Sequence, residues 1–281
     1  MRGSAAARTP ASLCNMPESN DLLAVLIDAD NVSPARIEAV LTEVARFGTS
    51  SVKRMYGDWT STNLSGWKAA ASAHVIQPIQ QFANTTGKNA TDSALIIDAM
   101  DLLYTGRFTG FCIVSSDSDF TRLAARIREQ GITVYGFGER KTPESFRNAC
   151  DRFTYLEVID APKETDAAQQ AVQPVPQIDQ QQRLRADGRL VIALRAAVST
   201  AADESGWAKL SPVGSLLRKQ QPDFDSRNWG YAKLSDLVRA TGLYEVKVQA
   251  NGVLVRPRSS APPRLAETAQ RTAATQAKAN A

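Results

Sequence analysis

The sequence predicts an α/β domain built on a largely parallel sheet, followed by a second, smaller winged helix-turn-helix domain. Three observations predict it. Apolar and amphipathic stretches alternate from about residue 21 to residue 160, the pattern of strands and helices wound over one sheet. Periodicity stops across residues 161–182, where seven Gln, three Pro and four Ala leave too few large apolar groups for a core. It resumes over residues 183–258 as three helical stretches and two short strands around Asn251-Gly252, a strong hairpin signal.

In the first block, strands are expected at 22–27, 51–56, 74–79, 111–114, 132–137 and 153–158. Ile37, Val40, Leu41 and Val44 follow the i, i+3, i+4, i+7 stripe of an amphipathic helix, with Ser33 and Pro34 as its cap and first turn. Asp92 begins an apolar helix from Ala94 to Leu103. Leu123 and Ile127 mark another after Asp119, which Gly131 closes. In the second block, Asp187, Val191, Leu194 and Val198 give the first helix its inner stripe, Leu210–Lys219 forms the second and Tyr231–Ala240 the third. Residues 1–20 and 259–281 read as disordered ends, and 161–182 as a flexible linker of roughly 25 Å root-mean-square reach.

Composition excludes several functions. No run of about 18 apolar residues exists to span a membrane. Cys14, Cys112 and Cys150 lack metal-ligand spacing and His74 is the lone histidine, so zinc chemistry and a disulfide framework drop out. Residues 1–20 hold no apolar signal core, which makes a cytoplasmic setting the expectation.

The chemistry concentrates where strands end. The first strand runs into Asp28-Ala29-Asp30-Asn31, and residues 111–114 run into Ser115-Ser116-Asp117-Ser118-Asp119-Phe120. In parallel sheets ligands bind beyond the strands' carboxyl ends. Carboxylates crowded there resist ionising together unless a cation joins them, and hard oxygen donors suit Mg2+ or Mn2+. Such an ion polarises a phosphoryl oxygen and acidifies a bound water, so metal-assisted phosphodiester hydrolysis is the natural chemistry. The same acids have a structural reading: Asp30 or Asn31, and Ser118 or Asp119, as helix caps, and Asp92 as a partner of its helix dipole. Asp98 and Asp101 lie on a different face from Asp92 and read as structural or supporting groups. Lys53, Arg54, Lys88 and Arg122 are weaker phosphate contacts, and Tyr56-Gly57-Asp58-Trp59 is either an aromatic platform or a packed turn.

Leu26-Ile27-Asp28-Ala29-Asp30-Asn31, Tyr56-Gly57-Asp58-Trp59, Lys88 with Asp92, and Val114 through Phe120 together resemble the NYN family, the PIN-like nuclease fold of LabA-type proteins. The resemblance covers about residues 21–160. It implies a PIN-like Rossmannoid sheet, divalent-metal dependence and ribonuclease activity leaving a 5′-phosphate. By motif position, Asp28, Asp92, Asp117 and Asp119 would form the metal site, with Asn31 beside it as a further catalytic residue. Lys88, Ser115 and Ser116 would meet substrate. Ser116 departs from the family, which often has Gly there.

The second block carries the positive charge: 13 Lys and Arg against 7 acids in 183–258, compared with 14 against 17 in 21–160. That is the footprint expected for a polyanion. Gly206-Trp207-Ala208-Lys209-Leu210-Ser211, Pro222-Asp223-Phe224-Asp225 and Trp229 through Leu237 resemble a LOTUS domain, the OST-type helix-turn-helix, which implies either RNA binding or docking to a protein partner. Arg218, Lys219 and Lys233, with Arg227 and Arg239, are the expected phosphate contacts. Trp229 and Tyr231 read as core. The leading expectation is a metal-dependent ribonuclease whose second domain recruits RNA, DNA not being excluded. The alternative is an adaptor with a weak or inactive nuclease-like domain. A phosphatase using Asp28 as nucleophile is disfavoured by Asn31 and by the second domain.

Overall fold

The computed structural model describes residues 21–60, 64–81, 90–159, 177–249 and 252–258. The chain divides after Ala161 into two compact units.

The first unit holds β1 (Leu22–Asp28), a 3-10 turn (Pro34–Arg36) leading into α1 (Ile37–Val44), β2 (Thr49–Gly57), α2 (Trp67–His74), β3 (Gln77–Gln80) and α3 (Ala90–Tyr104). It continues with β4 (Gly110–Val114), a 3-10 turn (Ser118–Phe120), α4 (Thr121–Glu129), β5 (Thr133–Gly138), α5 (Glu144–Ala149), β6 (Arg152–Tyr155) and α6 (Leu156–Ile159). The strands form one sheet in the order β3-β2-β1-β4-β5-β6, every pairing parallel. β4 is buried at every position and β1 at all but its first, as central strands covered on both faces must be. Alternate residues feed opposite cores. Leu26, Phe111 and Ile113 pack with Leu95 and Ala99 of α3, Leu123 of α4 and Phe146 of α5. Val25, Ile27 and Cys112 pack with Ile37 and Val40 of α1, Trp67 of α2 and Leu156 of α6. The expected parallel α/β architecture is therefore the observed one.

Two strand expectations need correction. The segment 74–79 begins as helix: Lys68-Ala69-Ala70-Ala71 favours α2, which ends when Val75 turns left-handed at φ 53°, and only then does β3 start. β3 tolerates Pro78 because it lies at the sheet edge, where a ladder donor can be missing. The segment 153–158 stops being strand at Tyr155, and Leu156 turns into the other core. Ser33 occupies the cap position before Pro34 but makes no side-chain capping bond.

The second unit holds α7 (Gln177–Ala186), α8 (Gly188–Ala201), β7 (Ala208–Lys209), α9 (Leu210–Gln220), a 3-10 turn (Ser226–Trp229), α10 (Leu234–Thr241), β8 (Tyr244–Gln249) and β9 (Gly252–Pro257). α8, α9 and α10 pack on the antiparallel sheet β7-β9-β8, the expected winged arrangement, and α7 is a further helix beside them. Asp187 is the cap of α8 rather than part of its stripe, accepting from the Leu190 N–H at 3.0 Å. α7 begins inside the segment expected to be linker. It buries Leu184, and Arg185 donates to the Thr241 and Gly242 carbonyls at 2.8 and 3.2 Å, satisfying the end of α10. Gly252 lies within β9, paired with Gln249 at φ 124°, and Asn251 falls outside the described residues.

Asp98 of α3 accepts from Arg54 and from the buried Tyr56 hydroxyl, pinning α3 to β2. Both ion-pair side chains are only about a quarter exposed, at 25% for Arg54 and 21% for Asp98. Asp98→Ala strands the Arg54 cation and is expected to cost about 2–3 kcal/mol in denaturant unfolding while leaving Mn2+ affinity unchanged. Unaltered stability would count against this lock.

Candidate metal centre

The strand order reverses between β1 and β4, so their connections leave in opposite directions and open a crevice at their carboxyl ends. The acids stand around this point. Asp28, the last residue of β1, is 1% exposed. Its Oδ2 accepts from the Ser115 hydroxyl and from the Asn31 amide, each at 2.7 Å. Its Oδ1 is buried and has no hydrogen-bond partner among the described residues. From the other strand, the Asp117 N–H donates to the same Ser115 oxygen at 3.1 Å. One hydroxyl thus joins the two strand ends.

Asp117 also caps the following 3-10 turn, accepting from the Asp119 N–H at 2.9 Å, so the expected cap falls on Asp117 rather than on Ser118 or Asp119. The turn carries Asp119 round to face α3, and Asp92 comes from the first turn of that helix. Carboxylate oxygens of Asp92, Asp117 and Asp119 lie within 4.8 Å of one another.

The electrostatics follow from that crowding. Burial, then the charges of Asp28, Asp117, Asp119 and Asp30, push the Asp92 carboxyl up to about 6. Burial also raises Asp28, although the bonds from Ser115 and Asn31 pull the other way. An all-oxygen donor set, an orphaned buried carboxylate oxygen and mutually repelling charges fit a divalent cation such as Mg2+ or Mn2+. Asp92, Asp117 and Asp119 would hold it, with Asp28 beside them.

The remaining expected site residues divide. Asn31 orients Asp28. Ser115 and Ser116, expected to meet substrate, are turned inward. Ser115 is fully buried between Asp28 and Asp117, and the Ser116 hydroxyl accepts from the Glu139 N–H at 2.8 Å, tying the loop to the end of β5. That tie needs Gly138, where a Cβ would stand 2.6 Å from the Ser115 carbonyl oxygen. Lys88 lies outside the described residues. Lys53 donates to the His74 carbonyl and Arg54 to Asp98, so both already have protein partners. Tyr56 is buried and the Trp59 indole N–H donates to the Ile79 carbonyl at 2.9 Å, which makes this segment a packed turn. Arg218, Lys219 and Lys233 are exposed on the second unit. Sequence reasoning missed the joint role of Ser115, whose only signal was its position one residue beyond a buried strand.

Comparison with known families matches residues 22–157 to the NYN domain and residues 187–256 to the OST-HTH/LOTUS domain. No curated protein matches. Among solved structures, a protein of unknown function from Vibrio parahaemolyticus is 16% identical, covering 50% of this chain and 96% of its own, with a TM-score of 0.42. An uncharacterised protein from Nitrosomonas europaea is 33% identical, covering 35% of this chain and 90% of its own, with a TM-score of 0.22.

Two predictions follow from the geometry. The folded chain holds the Asp92 proton more tightly than an unfolded chain, whose Asp titrates near 3.8, so the stability contributed by this group falls as pH rises from about 4 to about 6 and is lost above. Metal-free Asp92→Asn should therefore melt above wild type at about pH 7, with the difference closing toward about pH 4. Equal melting at neutral pH would refute the strain assigned to this cluster. Ser115→Ala removes the donor to Asp28 and the acceptor for Asp117. Titration calorimetry should find Mn2+ affinity about 10- to 100-fold weaker, and an unchanged affinity would deny Ser115 its organising role.

Proposed function

Because this chain carries an NYN domain followed by an OST-HTH/LOTUS domain, we propose that it is a divalent-metal-dependent ribonuclease whose C-terminal domain recruits RNA. The NYN domain is nuclease-like and the LOTUS domain is an RNA-binding type of module. The observation that carries the reading is the convergence of Asp28, Asp92, Asp117 and Asp119, drawn from three distant segments, on the crevice between β1 and β4.

Each residue has a part. Asp92, Asp117 and Asp119 would hold Mg2+ or Mn2+, with Asp28 close enough for its charge to act on Asp92. Asn31 and Ser115 donate to one Asp28 oxygen, and the other is buried without a partner among the described residues. A bound divalent ion supplies charge neutralisation and polarisation of a phosphodiester, the chemistry that hydrolysis needs. Asp92, whose carboxyl burial and the neighbouring carboxylates push up to about 6, is the member that gains most from the positive charge of a bound ion. Lys88 and Asn31 position the scissile phosphate, and hydrolysis leaves a 5′-phosphate. The acidic first domain repels a polyanion, so the net positive second domain, with Arg218, Lys219 and Lys233 exposed, supplies the attraction.

The test is cleavage of a 5′-labelled single-stranded RNA in Mg2+, Mn2+ or EDTA by wild type, Asp28→Asn and Asp117→Asn. Wild type should cut only with metal, and each variant should lose at least about 100-fold in rate. Cutting that survives EDTA, or that both variants perform at the wild-type rate, would sink the reading. Metal-independent RNA binding without any turnover would favour the adaptor.

A further inference from the structure

The second unit contains five aromatic residues between 177 and 258: Trp207, Phe224, Trp229, Tyr231 and Tyr244. Four pack into its core, and Trp229 is further fixed by its indole N–H donating to Asp187 at 2.9 Å. Trp207 is not among the core residues. Its half-buried ring lies against two cations, with the Lys247 Nζ 4.4 Å and the Arg256 Cζ 4.7 Å from its centroid.

Strand register explains this placement. Ala208, Val255 and Val246 pair across β7-β9-β8 and face the core, with Ala208 and Val255 fully buried. The neighbouring row, Lys209, Leu254 and Lys247, therefore lies on the opposite face, as does the next pair, Arg256 and Glu245. Lys209 and Lys247 are exposed and make no ion pair among the described residues, while Glu245 is engaged by Arg256 at 2.7 Å. The face thus presents a tryptophan, three cations and one already-paired acid.

We propose that this outer wing face binds single-stranded RNA, a base stacking on Trp207 and the Arg256 guanidinium while Lys209 and Lys247 meet flanking phosphates. The inference rests on the reading that the C-terminal domain recruits RNA, and it names the surface. Charge complementarity selects a polyanion. The aromatic platform selects a single strand, since a duplex hides the faces of its bases. Arg218, Lys219 and Lys233 have no aromatic partner among the described residues and can add only sequence-independent attraction.

The experiment measures anisotropy of a labelled single-stranded RNA on the full chain in EDTA, with salt varied. Trp207→Ala should weaken binding roughly 5- to 100-fold. The double variant Lys209→Gln, Lys247→Gln changes only exposed side chains, which guards against misfolding. It should keep the wild-type melting temperature and lower the log–log salt slope by about 1.4, two phosphate contacts on a single strand. Duplex RNA should bind more weakly and ignore Trp207. If wild type binds but these variants bind equally, and only Arg218→Ala, Lys219→Ala, Lys233→Ala fails, the wing surface is wrong while recruitment stands. If wild type binds no RNA, the recruitment reading itself falls and takes this inference with it. Loss of a protein complex in the lysine variants, with RNA affinity intact, would assign the face to a protein and overturn the proposal.

Discussion

The Ser115 hydroxyl is the hinge of the first domain. It donates to Asp28 and accepts from the Asp117 backbone, so a single oxygen joins the ends of the two central strands. Without it, the two carboxylate-bearing loops would lose the side-chain bond that links Asp28 to the end of β4. The parallel sheet supplies the framework, because only the reversal of strand order leaves a crevice between β1 and β4. The hydroxyl then turns an opening into a site of defined shape. It leaves Asp28 with one satisfied oxygen and one unsatisfied oxygen, a costly state in a buried place unless something positive joins it.

The acids of this domain do two kinds of work, and their neighbours decide which. Asp98 sits on the same helix as Asp92, yet it meets Arg54 and Tyr56 and stabilises the join between α3 and β2. Asp92, near the start of that helix, meets carboxylates and is driven toward neutrality. Six residues of helix separate them by about 600° of rotation, enough to aim one at the sheet and the other at the crevice. Tyr56 connects the two regions, since it pairs with Asp28 across the strands while its hydroxyl reaches Asp98. The same residue type thus makes a structural ion pair at one position and part of an acidic cluster at the other.

Much of this was legible in the sequence. Buried parallel strands appear as unbroken apolar runs, so β1 and β4, and the acids directly after them, could be read without coordinates. Asp92 was readable as a helix start. What escaped depended on contacts between distant positions. Ser115 looked like a substrate contact because its bond to Asp28 spans 87 residues. Arg54 looked like a free cation because Asp98 lies 44 residues away. The α2 to β3 boundary was missed because Val75, a β-branched residue, adopts a left-handed conformation that local preference argues against. The start of α7 was hidden by Gln-rich composition, and its order comes from packing on α10 rather than from its own pattern.

β3 and β6 are each four residues long, and β3 carries Pro78, which removes a backbone donor. Margins this short and interrupted make poor templates for a further strand. A six-stranded sheet with an apolar interior is thereby kept from growing sideways into fibrils or from capturing extended peptides by backbone pairing. Partners of this domain are accordingly better recognised by the charge and shape of its side chains than by backbone pairing along its margins.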